Sequence, residues 1–259
     1  MNMDAVVLAG GVMSAEDPLF AQGKGGFRSL IDIFGISMVQ RVINALSASS
    51  AVAEIYVVGL RPDCKLQSEK QLHFLADQGG LFENIRHGVL QSATDHPQQS
   101  KVLIASADIP ALQPEMVDWF ASEVMKDTEP LIYYNVIPQD VMEARFPGSN
   151  RSFVRFKDLA VCGGDFNAVD KRLFLVEQPI FKQLIAERKR PLKQASLLGF
   201  DNLILIALHL ITLEKVVLRI SKKLGLNARA IICPYAEVAM DADKPHQLDI
   251  LREALGTRL

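Results

Sequence analysis

Short apolar runs and amphipathic stretches alternate along the first half of the chain. Residues 4–9 form an apolar run that breaks into Gly10-Gly11, which predicts a buried strand ending in a tight turn. Between Met38 and Leu46 the apolar positions Met38, Val39, Val42, Ile43 and Leu46 recur at helical spacing, and Ser37 is placed to cap that helix. Glu54–Val58 and Lys101–Ala105 read as further strands. Each is followed by a helix: Leu81–Leu90, entered through the Gly79-Gly80 turn, and Pro114–Val124, with proline in its first turn. Leu131–Asn135 reads as another strand. Strand and helix in alternation predict an α/β fold built on a mostly parallel, mixed central sheet flanked by helices.

The character changes between Pro138 and Asn150, where Pro147, Gly148 and Ser149 cluster as turn formers. Ser152–Lys157 alternates like a half-buried strand, and Val161–Val169 carries Gly163-Gly164. Residues 180–226 are almost wholly helical in pattern, which predicts a helical insert, with Leu203–Leu213 as a core helix. Residues 229–233 return to strand, and His246–Leu255 closes the chain as an amphipathic helix. With no repeat and no low-complexity linker, the expectation is a single domain over residues 1–259.

Composition narrows the partners. The chain is 49% hydrophobic over 259 residues, enough for a substantial core. Its net charge of −2 and isoelectric point near 6.2 supply no field for nucleic acid or an anionic membrane. Cys64, Cys162 and Cys233 are scattered without metal-ligand spacing, as expected of a protein in a reducing cytoplasm. The first strand begins by residue 5, leaving no room for a signal peptide in this sequence. Leu203–Leu213 is about 11 residues long, short of the roughly 20 needed to cross a bilayer.

The candidate chemistry clusters at strand ends. Gly10-Gly11 lets backbone approach a ligand closely, while neither GxGxxG nor GxxxxGK[ST] is present. Gln22-Gly-Lys-Gly-Gly-Phe-Arg28 interleaves glycines with Lys24 and Arg28, a loop suited to folding over phosphates. Lys101–Pro110 delivers Asp108 at the carboxyl edge of a strand, where open α/β sheets collect ligands. Asp241 and Asp243, spaced two apart in an extended segment, form a half-site for a divalent cation. Arg188, Lys189, Arg190 and Lys193 could meet an anionic second substrate or be a solvated charge run. The five histidines lie apart, with no nucleophile paired to any of them.

Taken together, Leu8-Ala-Gly-Gly11, the basic loop, Ser29-Leu-Ile-Asp-Ile-Phe-Gly35, Ser106-Ala-Asp-Ile-Pro110, Gly163-Gly-Asp165 and Met240-Asp-Ala-Asp-Lys-Pro245 resemble the MobA-like NTP transferases. That resemblance runs along nearly the whole chain in order. It implies a Rossmann-like GT-A nucleotidyltransferase fold, with Leu8, Ala9, Gly10 and Gly11 holding the nucleotide and Gly79, Gly80 and Asn84 near the base. It implies Mg²⁺ on Asp108 and Asp243, with Asp241 as the fallback. Arg28 stands where the family carries its phosphate-binding lysine, so Lys24 becomes a second candidate for that role. The implied reaction is nucleotidyl transfer from an NTP to a phosphorylated small-molecule acceptor, with pyrophosphate leaving. Separately, the apolar helical insert is either a homodimer surface or simply core. Two other classes stay open: a nucleotide-binding module without turnover, and a nucleotide-sugar glycosyltransferase.

Overall fold

In a computed structural model, which describes residues 2–175, 179–186 and 199–256, a nine-stranded mixed sheet carries the chain. Its strands are β1 (Met3–Leu8), β4 (Val52–Val58), β5 (Leu72–Leu75), β6 (Lys101–Ser106), β7 (Ile132–Pro138), β8 (Val154–Arg155), β9 (Ala160–Gly163), β10 (Phe166–Asp170) and β11 (Ala228–Ile232). A separate two-stranded ribbon pairs β2 (Asp32–Ile33) with β3 (Ile36–Ser37). The order in the large sheet is β5-β4-β1-β6-β10-β7-β9-β8, and β11 pairs with the other edge of β7. The first four, β5, β4, β1 and β6, are parallel, whereas β10 runs antiparallel between β6 and β7.

The near-continuous apolar runs of β1, β4 and β6 follow from burial on both faces. Ala5, Val7, Leu103 and Ala105 face a core shared with α1 (Met38–Ala48), α3 (Pro114–Met125) and a C-terminal helix over Pro245–Gly256. Val6, Val102 and Ile104 face the opposite core, against α2 (Leu81–Asp95). Ser37 caps α1 as expected, its hydroxyl accepting from the Gln40 amide at 3.4 Å. The first-half elements predicted from sequence are all present, with ends displaced by a few residues.

The second half departs more. Ser152–Lys157 forms only the two-residue edge strand β8, whose residues are both exposed. Phe153 and Phe156 pack against different apolar clusters, so the alternation does not describe one buried face. Between Pro138 and Asn150 a short helix, α4 (Gln139–Arg145), precedes the turn formers. The stretch Val161–Val169 that carries Gly163-Gly164 forms two strands, β9 and β10, separated at Gly164-Asp165.

The expected core helix at Leu203–Leu213 is not formed. After α5 (Arg172–Leu175) and α6 (Pro179–Ala186), α7 (Phe200–Ala207) stops before a turn at Leu208-His209. Leu203, Ile204, Leu208 and Leu210 are exposed, Leu205 and Ile206 are partly buried against a small core, and Ile211 and Leu213 are buried in it. His209 takes a positive φ of 53°, which ends the helical path. Thr212 then caps a new helix, α8 (Leu213–Leu224), which packs beside β11; the closing Pro245–Gly256 helix is α9. The basic residues Arg188, Lys189, Arg190 and Lys193 lie outside the described residues. Among the described residues no helix is long and apolar enough to cross a membrane.

One close approach sets the shape of the sheet's carboxyl edge. Gly59, directly after β4, has φ of 100° and lies under Gly10, so that a Cβ on Gly59 would collide with the Gly10 backbone. Replacing Gly59 with alanine is expected to combine left-handed strain with that clash, costing about 1–3 kcal/mol for the backbone alone. Urea unfolding should show the lower midpoint, while an unchanged midpoint would mean the turn can relax away.

Candidate functional site

A cavity of about 610 Å³ opens where the carboxyl ends of β1 and β6 meet. Its wall on one side is the turn after β1: Leu8, Ala9, Gly10 and Gly11. The turn is pinned from several directions. The Ala9 amide donates to the Val58 carbonyl at 2.9 Å, and the Ser29 hydroxyl donates to the Ala9 carbonyl at 2.9 Å. The Arg28 amide donates to the Gly11 carbonyl at 3.2 Å, tying the basic loop to the turn. A Cβ on Gly10 would stand 3.1 Å from the Gly59 Cα and 3.2 Å from the Asp77 carboxyl carbon, a tight fit that its neighbours would have to ease by a few tenths of an ångström. A Cβ on Gly11 would meet no protein atom within 4 Å, which leaves that position open to a ligand.

The second wall is the entry to α2. Gly79, with φ of 79°, and Gly80 turn the chain into the helix, and both line the cavity with Asn84. Asp77 organises this turn: its Oδ1 accepts from the Gly79 amide at 2.9 Å and from the Asn84 side-chain amide at 2.8 Å. Asn84 in turn accepts from the Gln78 amide at 2.7 Å.

Charge gathers on the third side. Asp108 lies just beyond β6 and accepts from the Ser106 hydroxyl at 2.5 Å. Burial pushes its carboxyl above the usual range; Ser106 and Arg28 pull it down, and Asp243 pushes it up. Asp243 lines the cavity and is paired with Arg28, whose other terminal nitrogen reaches Asp17 at 2.7 Å. Asp241 is paired with Arg151, which also donates to the Gly163 carbonyl at 3.1 Å and approaches Asp165 at 3.4 Å. Burial pushes the Asp165 carboxyl up to about 8, Asp241 and Asp108 add to this, and Arg151 opposes it. Asp241 is pushed up to about 6, again by burial first, with Arg151 pulling against Asp108 and Asp243.

The backbone holds these carboxylates in place. The Ser106 amide donates to the Asp165 carbonyl at 2.9 Å, and the Asp165 amide donates to the Val238 carbonyl at 2.8 Å. The Ala242 amide donates to the Asp108 carbonyl at 3.1 Å. Three segments remote in sequence are therefore cross-linked beside the cavity. Hard carboxylate oxygens with open space for phosphate oxygens are a donor set that fits Mg²⁺. Among the described residues no three His, Cys, Asp or Glu side chains form a ready metal cage, so such an ion would draw its remaining ligands from substrate and water.

Ten residues singled out from sequence line one cavity: Leu8, Ala9, Gly10, Gly11, Arg28, Gly79, Gly80, Asn84, Asp108 and Asp243. Lys24 does not: it is exposed on a one-turn 3₁₀ helix and is absent from the residues lining the cavity. Asp241 and Asp243 share a segment but pair with different arginines, and only Asp243 lines the cavity. Sequence reasoning missed Asp17, Asp77, Arg151 and Asp165 as parts of this environment. The Gly163-Gly-Asp165 motif was the one signal that could have found Asp165; nothing local marked the other three.

Because the raised pKa of Asp165 belongs to the folded protein, its ionised form opposes folding above about pH 8, and that penalty is absent below the ordinary carboxylate range near pH 4. Asp165→Asn is therefore expected to raise the melting temperature by a few degrees at pH 9 and leave it nearly unchanged at pH 4. A lower melting temperature at pH 9 would show that the Arg151 pairing outweighs the burial of charge.

Comparison with known proteins bears on the fold and the family. No curated protein matches the sequence significantly. Among solved structures, a hypothetical transferase from Thermus thermophilus is similar at 33% identity with a TM-score of 0.81, over 96% of this chain and 100% of that one. A CMP:2-keto-3-deoxy-manno-octonic acid synthetase complexed with CTP shares the fold at 15% identity and a TM-score of 0.61, over 100% of both chains. So does the 4-diphosphocytidyl-2C-methyl-D-erythritol synthase of Anaerococcus prevotii, at 11% identity and a TM-score of 0.55, over 100% of this chain and 96% of that one. A family model for the MobA-like NTP transferase domain matches residues 5–142, the stretch that contains both glycine turns, Arg28 and Asp108, and the chain belongs to that family of nucleotidyltransferases.

Proposed function

We propose that this protein is a Mg²⁺-dependent nucleotidyltransferase that moves an NMP from an NTP onto a phosphorylated small-molecule acceptor, with release of pyrophosphate. The observation that carries this reading is one cavity with two glycine turns on its walls and Asp108 and Asp243 on the remaining side. Backbone groups of Leu8, Ala9, Gly10 and Gly11 hold the nucleotide, and the Gly79-Gly80 turn with Asn84 lies near the base. Asp108 and Asp243 would hold Mg²⁺, which when bound offsets the negative charge that develops on phosphoryl oxygens during transfer. Of the two cations that line the cavity, Arg28 and Lys244, Arg28 stands at the family's lysine position and meets the phosphates.

An oxygen of the acceptor phosphate attacks the α-phosphorus, the bond to the β-phosphate bridging oxygen breaks, and pyrophosphate leaves with that electron pair. No protein nucleophile is needed, because catalysis rests on positioning and charge. The three thiols, all free, suit a cytoplasmic setting.

Pyrophosphate release should be followed with each of the four NTPs against a panel of sugar phosphates and cofactor phosphates. One NTP–acceptor pair is expected to give Mg²⁺-dependent pyrophosphate, and Asp108→Asn to lower kcat by about 10²–10³. Release of nucleoside diphosphate would instead indicate a nucleotide-sugar glycosyltransferase. NTP binding without release of either would leave a binding module.

A further inference from the structure

Arg28 is held by two carboxylates at once. One terminal nitrogen of its guanidinium is 2.7 Å from Asp17, and the other is paired with Asp243. Asp17 is itself fixed: its Oδ1 accepts from the Leu19 amide at 2.9 Å, and its own amide donates to the Ser14 carbonyl at 3.0 Å. Asp17, Arg28 and Asp243 all line the cavity, so this ion-pair chain stands along its rim. An arginine fork suits such bridging, since two nitrogens can each serve a separate carboxylate, which a lysine ammonium does less well. Asp243 is the half-exposed end of this ion-pair chain, while Asp17 is the more buried one.

We infer that Arg28 acts as an internal counter-ion for Asp243, occupying that carboxylate until nucleotide arrives, so that the protein takes up its divalent cation together with the NTP and not before it. This inference rests on the reading of Asp243 as a metal-holding residue. The carboxylate cannot present the same lone pairs to a guanidinium and to a divalent cation. Binding of free cation therefore has to break the Arg28–Asp243 pair with nothing gained by Arg28. When a triphosphate is present the guanidinium released from Asp243 has a new anionic partner, still tethered by Asp17, so the exchange conserves its charge contacts. Arg28 is thus a positioning residue for Asp243 in the empty site and a phosphate ligand in the filled one. The replacement of the family's lysine by arginine is what makes the double role available.

The test is Mn²⁺ binding to the full-length protein, read from the electron paramagnetic resonance signal of free Mn²⁺, without nucleotide and then with the NTP that binds. Arg28→Gln is expected to bind Mn²⁺ alone at least about tenfold more tightly than wild type, while nucleotide tightens Mn²⁺ in wild type but much less in the variant. The gain should vanish when Asp243→Asn is added, because the coupling runs through that carboxylate. Equal Mn²⁺ affinity of wild type and Arg28→Gln, in variants whose circular dichroism matches wild type, would overturn the inference while leaving the nucleotidyltransferase reading intact if NTP still binds with metal. A gain that persists in the Asp243→Asn background would also overturn it, as an effect of net charge alone. Failure of wild type to bind Mn²⁺ with any NTP would remove both readings.

Discussion

Asp108, Asp165, Asp241 and Asp243 approach one another at the carboxyl edge of the sheet, and like charges at that range oppose the compact state unless something neutralises them. Two arginines do part of this, Arg28 at Asp243 and Arg151 between Asp241 and Asp165. The neutralisation is incomplete, since burial still holds Asp165 up to about 8 and Asp241 up to about 6. A site left short of positive charge favours a ligand that arrives with a cation. Much of the architecture around the cavity is there to hold these groups in place against that repulsion.

The holding is done mainly by backbone. Ser106, Asp165, Val238, Asp108 and Ala242 exchange amide-to-carbonyl hydrogen bonds across three segments that are far apart in the chain. Backbone bonds of this kind fix positions without consuming the carboxylates' own lone pairs, which stay available to a ligand. The opposite wall uses the same principle: the turn after β1 is held by Val58, Ser29 and Arg28, and its open glycine faces the cavity. The central sheet supplies rigidity to both walls, because β1 and β6 are adjacent and buried on both faces.

Local pattern made the first half legible. The runs of β1, β4 and β6, the cap at Ser37 and the glycine entries to the turns each follow from neighbouring residues, and the site residues at those strand ends were read with them. The second half depends on contacts that no short window contains. Gly164-Asp165 separates β9 from β10, where the chain reaches Ser106 on one side and Val238 on the other. The apolar run Leu203–Leu213 looked like a core helix, yet it turns at Leu208-His209 and exposes most of its length. Asp17, Asp77 and Arg151 were missed for the same reason: their partners Arg28, Asn84 and Asp241 lie 11, 7 and 90 residues away, and only the fold brings the last pair together. Lys24, a basic residue in the same loop as Arg28, is exposed and does not line the cavity.

Calorimetric titration of each NTP, with and without Mg²⁺, into wild type and Asp108→Ala addresses the nucleotide and metal together. One NTP is expected to bind wild type tightly only with Mg²⁺, and the Mg²⁺-dependent part of that affinity should be lost in the variant. Binding that is indifferent to Mg²⁺, or equally tight in Asp108→Ala, would contradict a cation held at the carboxyl end of β6.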